Sequence, residues 1–481
     1  MVRHGLSEGA TIGGFRIGQR VHVGGMAVLY EASHPDFDFP LLLKAPRLAE
    51  GEDPAAIVSF EMEQMILPRL SGPHVPRFAG ANGFDGQPFI AMERIPGTSL
   101  LPLIENLPLP FETIADVGAH VADALDALHR QNVVHLDVKP SNILTRPTGE
   151  AVLIDYGLSR HAQLPDLMEE EFRVPYGTAP YMAPEQVMGI RSEKRSDLFA
   201  LGAMLYFFTT AERPFGDPQR LSGLKRRLWR DPKPPKALRR DCPAWLQEII
   251  LRCLEVRPDR RHPAAAQLAF DLRHPDQVPL TARARKERQD GWAAVIQRRF
   301  HPDHQPRFRR AAPPADAAAV APIVAVAVDL AADSALHEAL RDTVGRILAT
   351  LPGARLACLN VLRTNRITLD TTLDEEGRNK HLQRLIELKH WASPLGLPEG
   401  RVTFHVLEAV NPAGAILEHA RINRVDHIVL GARGQSLIRR VLGGVSREVV
   451  TEAQCSVTVV RARVGMEQER SVAGEKADAP F

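Results

Sequence analysis

Val133–Leu144 reads VVHLDVKPSNIL. A carboxylate, an ammonium and an amide stand at Asp137, Lys139 and Asn142, in the spacing H-x-D-x-K-x-x-N. A second carboxylate, Asp155, follows thirteen residues after Asn142 in AVLIDYGLSR, and YGTAPYMAPEQ comes next. Upstream, FRIGQRVHVGGMAVLYEA (15–32) alternates apolar residues around a glycine pair, the pattern of two strands and a tight turn. Such a turn lays backbone N–H groups over phosphates, and small residues let the chain come close. PLLLKAPRL (40–48) reads as a buried strand carrying Lys44, and a lysine in that setting needs an anionic partner. FEMEQMILPRL (60–70) reads as a helix offering Glu63, and PFIAMERIPG (88–97) as a strand running into a turn.

The rest of the chain bounds this reading. Its 481 residues suggest two or three domains at about 150 residues each. With 44% hydrophobic and 25% charged residues the composition is that of an ordinary globular protein. A net charge of +2 gives no general pull toward nucleic acid or membrane. Four scattered cysteines without a CxxC speak against a metal site or a disulfide framework and fit a reducing cytoplasm. MVRHGLSEGATIGG has no apolar core of a leader, and IVAVAVDLAA (323–332) is too short to span a bilayer. Between 281 and 310 nine Arg and Lys stand against three Asp and Glu, and the Pro/Ala run AAPPADAAAV follows. This seam divides a first domain at 12–275 from a second at 321–464, with 276–320 read as linker and 465–481 as a disordered tail. The basic run is read as a solvated linker helix, the alternative being a docking surface for an acidic partner or nucleic acid.

Several separated motifs in this order are hard to obtain by chance, and residues from about Phe15 to Arg273 resemble a protein kinase domain of the bacterial Ser/Thr type. DLFALGAMLYFFTTAERPF (197–215) and RPDRRHPAA (257–265) resemble its C-lobe helices. The resemblance implies an α+β bilobal fold, ATP, and Mg2+ with Mn2+ as the alternative. Phosphoryl transfer needs positioning and charge neutralisation rather than covalent help. By resemblance, Lys44 holds the α- and β-phosphates and is held by Glu63. Asp155 binds Mg2+ and Asn142 the second metal, Asp137 orients the substrate hydroxyl and accepts its proton, and Lys139 neutralises the γ-phosphate. The nucleotide would lie against Val21, His22, Val23, Gly24, Gly25, Met26, Ala27, Val28, Leu29, Glu93 and Ile95. Arg261 would pair with Glu185 as a structural bridge, and Asp197 would brace the catalytic loop.

Four departures from the family pattern matter. Leu136 replaces the arginine that receives a phosphate from the activation loop, and leucine cannot do so. LSRHAQLPDLMEEEFRVPY (158–176) carries Ser159 and Tyr176 but no Thr, and it carries Glu169, Glu170 and Glu171. Activation by loop phosphorylation is therefore not expected. The glycine loop keeps only Gly24 of its three family glycines, with His22 and Ala27 at the others. Leu42 adds bulk beside the expected adenine plane, and Met92 narrows the back of the cleft. Because Lys44, Asp137, Asn142 and Asp155 all remain, an active enzyme is expected. A weak pseudokinase acting as a nucleotide-sensing scaffold is the alternative, and a small-molecule kinase of the aminoglycoside type ranks below it.

The second half alternates strands and helices, which indicates a doubly wound parallel sheet with ligands at the carboxyl ends of its strands. VLGARGQSLIRRVLGGVSREVV (429–450) there brings glycines before a helix starting near Val445, whose free N–H groups suit phosphates. From about Ala321 to Val464 the chain resembles a universal stress protein domain, carried by VAVD (326–329), the G-x-x-G and the later glycine turn with VS. The resemblance assigns Asp329 to the adenosine, Gly431, Arg433 and Gly434 to one phosphate loop, and Gly443, Gly444, Val445 and Ser446 to another, with ATP or AMP as ligand. The Gly-Ser expected after Asp329 is displaced, and a glycine replaces the serine of the later turn. CSVTVVRA (455–462), the last strand, is a candidate homodimer edge. The reading is a cytoplasmic protein Ser/Thr kinase in stress signalling, with protein substrates and no nucleic-acid or membrane partner, regulated by nucleotide in its second domain.

Overall fold

The computed structural model describes residues 6–47, 54–84, 86–172, 175–300, 321–364, 379–398, 400–432 and 444–462. The described residues up to 300 fall in one folding unit and those from 321 in a second.

The first unit opens with an antiparallel sheet. Its strands are β1 (Thr11–Ile12), β2 (Phe15–Val23), β3 (Ala27–Ser33), β4 (Leu41–Pro46), β5 (Phe78–Asn82) and β6 (Phe89–Glu93), in the order β1-β2-β3-β4-β6-β5. Alternation along β4 puts Leu41, Leu43 and Ala45 in a core with Phe15, Ile17, Tyr30 and Phe89, and leaves Lys44 on the other face. Helix α1 (Pro54–Ile66) connects β4 to β5 and carries Glu63, and Pro68 ends it by denying a backbone donor to the next turn.

Short strands then frame the loops of the second lobe: β7 (Thr98–Ser99), β8 (Val133–Val134), β9 (Ile143–Thr145), β10 (Ala151–Leu153) and β11 (Arg160–His161). Helix α2 (Phe111–Arg130) precedes β8, and its buried Ile114, Gly118, Val121, Ala122, Leu125 and Leu128 recur at helical spacing. After β11 come short helices α3 (Leu167–Glu171) and α4 (Pro184–Val187) and the almost wholly buried α5 (Arg195–Thr210). Helices α6 (Leu221–Leu224), α7 (Pro235–Leu238), α8 (Ala244–Cys253) and α9 (Ala265–Arg273) follow, and α2 packs between α5 and α9.

Residues 276–300, the start of the expected linker, are held on this lobe. Arg283 reaches Glu248 at 2.9 Å and Glu255 at 2.9 Å, and Lys286 reaches Asp231 at 3.0 Å. Gln247 donates to the carbonyls of Arg283 and Lys286, and Ala284 is buried. Arg298, in α10 (Trp292–Phe300), pairs with Asp231 and Asp290. The excess of positive charge suggested a solvated segment, yet Arg283, Lys286 and Arg298 reach Asp231, Glu248 and Glu255, acids of the lobe well back in the chain, which a local charge count cannot see. The lobe therefore runs past the expected boundary at 275, and these basic residues pair with its acids.

The second unit is a five-stranded, all-parallel sheet. Strands β12 (Ile323–Ala327), β13 (Arg355–Arg363), β14 (Val402–Ala409), β15 (His427–Gly431) and β16 (Ser456–Val460) lie in the order β14-β13-β12-β15-β16. Helices α11 (Ser334–Thr350) and α12 (Lys380–Ala392) cover one face, and α13 (Pro412–Ile422) and α14 (Gly444–Glu452) the other. Asp333, Asn379 and Asn411 cap α11, α12 and α13 by accepting N–H bonds. The strand order reverses at β12, so the crevice for a ligand opens at the carboxyl ends of β12 and β15.

Candidate active site

Lys44 lies between two carboxylates. Its ammonium donates to Glu63 at 2.5 Å and to Asp155 at 3.0 Å, joining strand β4, helix α1 and the D-Y-G turn. Burial works against the ammonium, but Asp155 and Glu63 outweigh it and raise its pKa. The same ammonium holds the Asp155 carboxyl below the ordinary carboxylate range. The Glu63 side chain is almost wholly buried, while that of Asp155 is 44% exposed and so open to a ligand. A Cβ at Gly157 would stand 1.9 Å from the Ser59 hydroxyl of α1. That glycine is what lets the helix carrying Glu63 approach the turn carrying Asp155.

A second cluster surrounds Asp137. Lys139 donates to its Oδ2 at 2.6 Å, and the Asn142 amide donates to its Oδ2 and its backbone carbonyl, each at 3.0 Å. With the nitrogen of Asn142 committed, its side-chain oxygen accepts from the Ser141 hydroxyl at 3.3 Å and keeps a second lone pair for a ligand. Thr178 also joins the group: its hydroxyl donates to Asp137 Oδ1 at 2.7 Å and accepts from Lys139 at 3.0 Å, and its N–H donates to Asp137 Oδ1 at 3.1 Å. Sequence reading passed over Thr178, treating YGTAPY as a landmark. Its signal was present, a hydroxyl seven residues before the A-P-E glutamate.

The backbone carrying Asp137 is strained and braced. Leu136 has φ of 64° and Asp155 of 69°, the left-handed region that side chains disfavour. Asp197, fully buried in α5, accepts the N–H of His135 at 2.9 Å and that of Leu136 at 2.8 Å, and bonds to His129 at 2.8 Å. Gln186 donates to the Leu136 carbonyl at 2.8 Å. The Leu136 side chain itself is buried. Arg261 grips Glu185 through two bonds of 2.6 and 2.8 Å, with Ser196 donating to the same carboxylate. Both charges are buried and fully bonded, so removing one partner would cost about 3–5 kcal/mol of stability.

The glycine turn lies above this cleft. Val21, His22 and Val23 end β2, Gly24–Met26 make the turn, and Ala27, Val28 and Leu29 begin β3. Gly24 N–H donates to the Ala27 carbonyl at 2.9 Å, and the Arg47 guanidinium donates to the Gly24 carbonyl at 3.0 Å. His22 is exposed and faces Leu29 across the hairpin. At the strand leading to the expected hinge, the Glu93 carboxylate is taken by Arg146 in two bonds of 2.6 and 2.9 Å, and its backbone N–H donates to the Arg77 carbonyl at 2.8 Å. Burial pushes its carboxyl up, but the Arg146 bonds outweigh it and the pKa falls. Ile95 is buried beside it, and Met92 pairs across the sheet with Leu42.

In the second unit a cavity of 620 Å³ opens at the carboxyl end of the sheet. Asp329, Asn360, Gly431, Gly444, Val445 and Ser446 line it, with Arg363 and Arg384 also in its wall. Ser446 donates to the Gly431 carbonyl at 3.0 Å, and Asn360 to the Val328 carbonyl at 2.9 Å. A Cβ at Gly431 would lie 2.9 Å from Leu336, which explains a glycine where the strand meets α11. Arg433, Gly434 and Gly443 lie outside the described residues.

Comparison with known proteins agrees with the two-part division. Residues 16–271 match the model of the protein kinase domain, and residues 322–461 match that of the universal stress protein family. The chain belongs to the protein kinase family, with a universal stress protein domain behind the kinase domain. It is 27% identical over 259 residues to a probable serine/threonine-protein kinase of Clostridium acetobutylicum, covering 54% of this chain and 39% of that one. It is 28% identical over 299 residues to the serine/threonine-protein kinase Pkn1 of Myxococcus xanthus, covering 61% and 43%. With the serine/threonine-protein kinase PknB of Mycobacterium tuberculosis it shares 27% over 263 residues, covering 54% and 42%. The matches thus take in about two fifths of each relative's length. Among solved structures, the PknI kinase domain of Mycobacterium tuberculosis matches at 24% identity and a TM-score of 0.44, covering 56% of this chain and 99% of that one. No helix among the described residues is long and apolar enough to cross a membrane.

Proposed function

We propose that the chain is a protein Ser/Thr kinase that moves the γ-phosphate of ATP to Ser or Thr hydroxyls of protein substrates. One observation carries the reading: Lys44 is bonded to Glu63 and Asp155 while Lys139 and Thr178 converge on Asp137. This grouping supports a phosphoryl-transfer site, which needs a phosphate-holding half and a hydroxyl-orienting half side by side. Glu63 fixes the Lys44 ammonium where it can take the α- and β-phosphates. Asp137, oriented by Asn142 and Thr178, accepts the proton of the attacking hydroxyl. Lys139, beside it, meets charge on the transferred group. The Asp155 carboxylate and the Asn142 carbonyl are hard oxygen donors that would hold Mg2+ or Mn2+. That ion would neutralise phosphate charge when bound. The pseudokinase alternative rests on the incomplete glycine turn and on Leu42 and Met92 at the nucleotide cleft.

The test is transfer of labelled phosphate from ATP, with Mg2+, to a generic protein acceptor. Wild type should label it and Asp137→Ala should not. Equal labelling by the two would sink the mechanism.

For the second domain we propose ATP or AMP binding in the 620 Å³ cavity, supported by its place at the switch point of the sheet. Nucleotide bound there would regulate the kinase in stress signalling in the cytoplasm. Strand β16 pairs with β15 at one end of the sheet, which supports homodimer formation along its other edge. Nucleotide titration of Lys44→Met, which disables the first site, isolates this one.

A further inference from the structure

The activation segment, from Asp155 to Glu185, is held without help from the arginine that Leu136 replaces. Asp166 supplies a carboxylate in the middle of the segment. Its Oδ1 caps α3 by accepting the Glu169 N–H at 3.2 Å, and its Oδ2 accepts from Arg191 Nε at 2.8 Å. Arg191 follows α4, outside the segment. Its other arm donates to the Leu158 carbonyl at 2.8 Å, at the segment's start. One guanidinium therefore ties the beginning of the segment to its middle. Arg160 stands 3.7 Å from the same carboxylate oxygen. The Asp166 and Arg191 side chains are only 7% and 10% exposed, so the pair is shielded from solvent and salt. Arg191 also lines a small cavity with Phe172 and Tyr176, two residues before Thr178. The segment's only serine, Ser159, is fully buried and donates its hydroxyl to the His135 carbonyl at 3.0 Å. In this arrangement it is closed to a modifying enzyme.

We infer that Asp166 and Arg191 are positioning residues for phosphoryl transfer: a built-in carboxylate bound by an arginine from beyond the segment does the ordering that a loop phosphate does in the family pattern. The charges keep their sense, an anion on the segment and a guanidinium on the lobe, but the guanidinium has moved from position 136 to position 191. The consequence runs to Thr178, which orients Asp137 only while the segment lies in place. This inference rests on the kinase reading.

Its test uses the full chain. Asp166→Asn removes the charge and keeps an oxygen that can cap α3. Expected is about a ten- to hundredfold loss of kcat/KM for the protein acceptor, the worth of a shielded charge-assisted bond. The KM for ATP should stay within about twofold, because Lys44 and Asp155 are untouched. Asp166→Glu should recover part of the loss, and Asp166→Asn with Arg191→Gln should cost no more than the worse single change, since the two act as one unit. Amide hydrogen exchange over residues 158–172 should speed up in Asp166→Asn while α5 stays protected. Unchanged exchange there overturns the inference whatever the rate does, and so does wild-type transfer by Asp166→Asn. Wild type no faster than Asp137→Ala would instead overturn the kinase reading, and exchange would still decide the latch.

Discussion

The two candidate sites are built from different materials. In the kinase cleft the walls are ionised side chains that hold each other: Lys44 between Glu63 and Asp155, Lys139 and Thr178 on Asp137, Asp197 under the loop. In the cavity of the second unit the wall is mostly backbone and apolar side chain, with Asp329, Arg363 and Arg384 as its charged members and with Ser446 and Asn360 spent on carbonyls nearby. The first arrangement stores charge in fixed positions, which chemistry requires. The second offers a volume of 620 Å³ at the carboxyl end of the sheet, which suits the ligand proposed for it. Substitutions should therefore strike transfer in the first unit and affinity in the second.

The largest effect is expected at the charges. Lys44→Met or Asp155→Ala should lower phosphate transfer by about a thousandfold or more, because each removes one member of a catalytic unit. Lys44→Met should also lower the melting temperature, since it leaves the buried Glu63 carboxylate without its ion pair. Both should leave nucleotide binding to the second unit intact, as separate titrations of the two sites would register. The converse change is Gly444→Asp. A Cβ at Gly444 meets nothing within 4 Å, so the carboxylate fits sterically and repels a phosphate. Expected is a loss of second-site affinity of about tenfold or more, read by calorimetry in the Lys44→Met background. In an otherwise wild-type chain the same substitution reports coupling. Regulation by the second nucleotide would change the transfer rate by about 5–150-fold, the usual span of allosteric coupling. An unchanged rate after loss of that nucleotide would make the halves independent.

A smaller effect is expected at Thr178. Thr178→Ala should lower kcat about tenfold, the worth of a bond to a charged group, and Thr178→Ser should restore most of it. Equal rates for Thr178→Ala and wild type would remove this residue from the account of Asp137.

That residue marks the limit of what the sequence discloses. The charged set from Lys44 to Asp155 was legible because each member sits at a fixed spacing from a neighbour of distinctive chemistry. Strand and helix types were legible in both units from alternation in β2 and β3 and from the apolar runs of β4, β12 and β15. The pairings across long separations were not. Thr178 meets Asp137 across 41 residues, Arg191 meets Asp166 across 25, and Arg283 meets Glu248 across 35. Arg191 and Arg283 carry no local mark that separates them from solvated residues, and even at Thr178, marked by its place before A-P-E, the partner is chosen by packing. The basic segment shows the error in its simplest form, since its charge suggested solvent and its acids lie on the lobe.

The smallest effect of substitution is expected at Ser159. Ser159→Ala should leave transfer within about twofold and cost about 0.5–1.5 kcal/mol of stability, the net worth of one buried hydrogen bond, visible as a lower melting temperature. A large fall in rate with unchanged melting would mean that its hydroxyl is modified after all.

The central claim is a complete transfer site held in working order without a loop phosphate. It is tested most directly by treating the purified chain with a broad-specificity phosphatase, removing the phosphatase, and measuring the initial rate of transfer to a protein acceptor beside the untreated chain and Asp137→Ala. The account predicts equal rates for the treated and untreated chains from the first turnovers, both far above Asp137→Ala. A treated chain that starts slowly and recovers its rate on preincubation with ATP would contradict it.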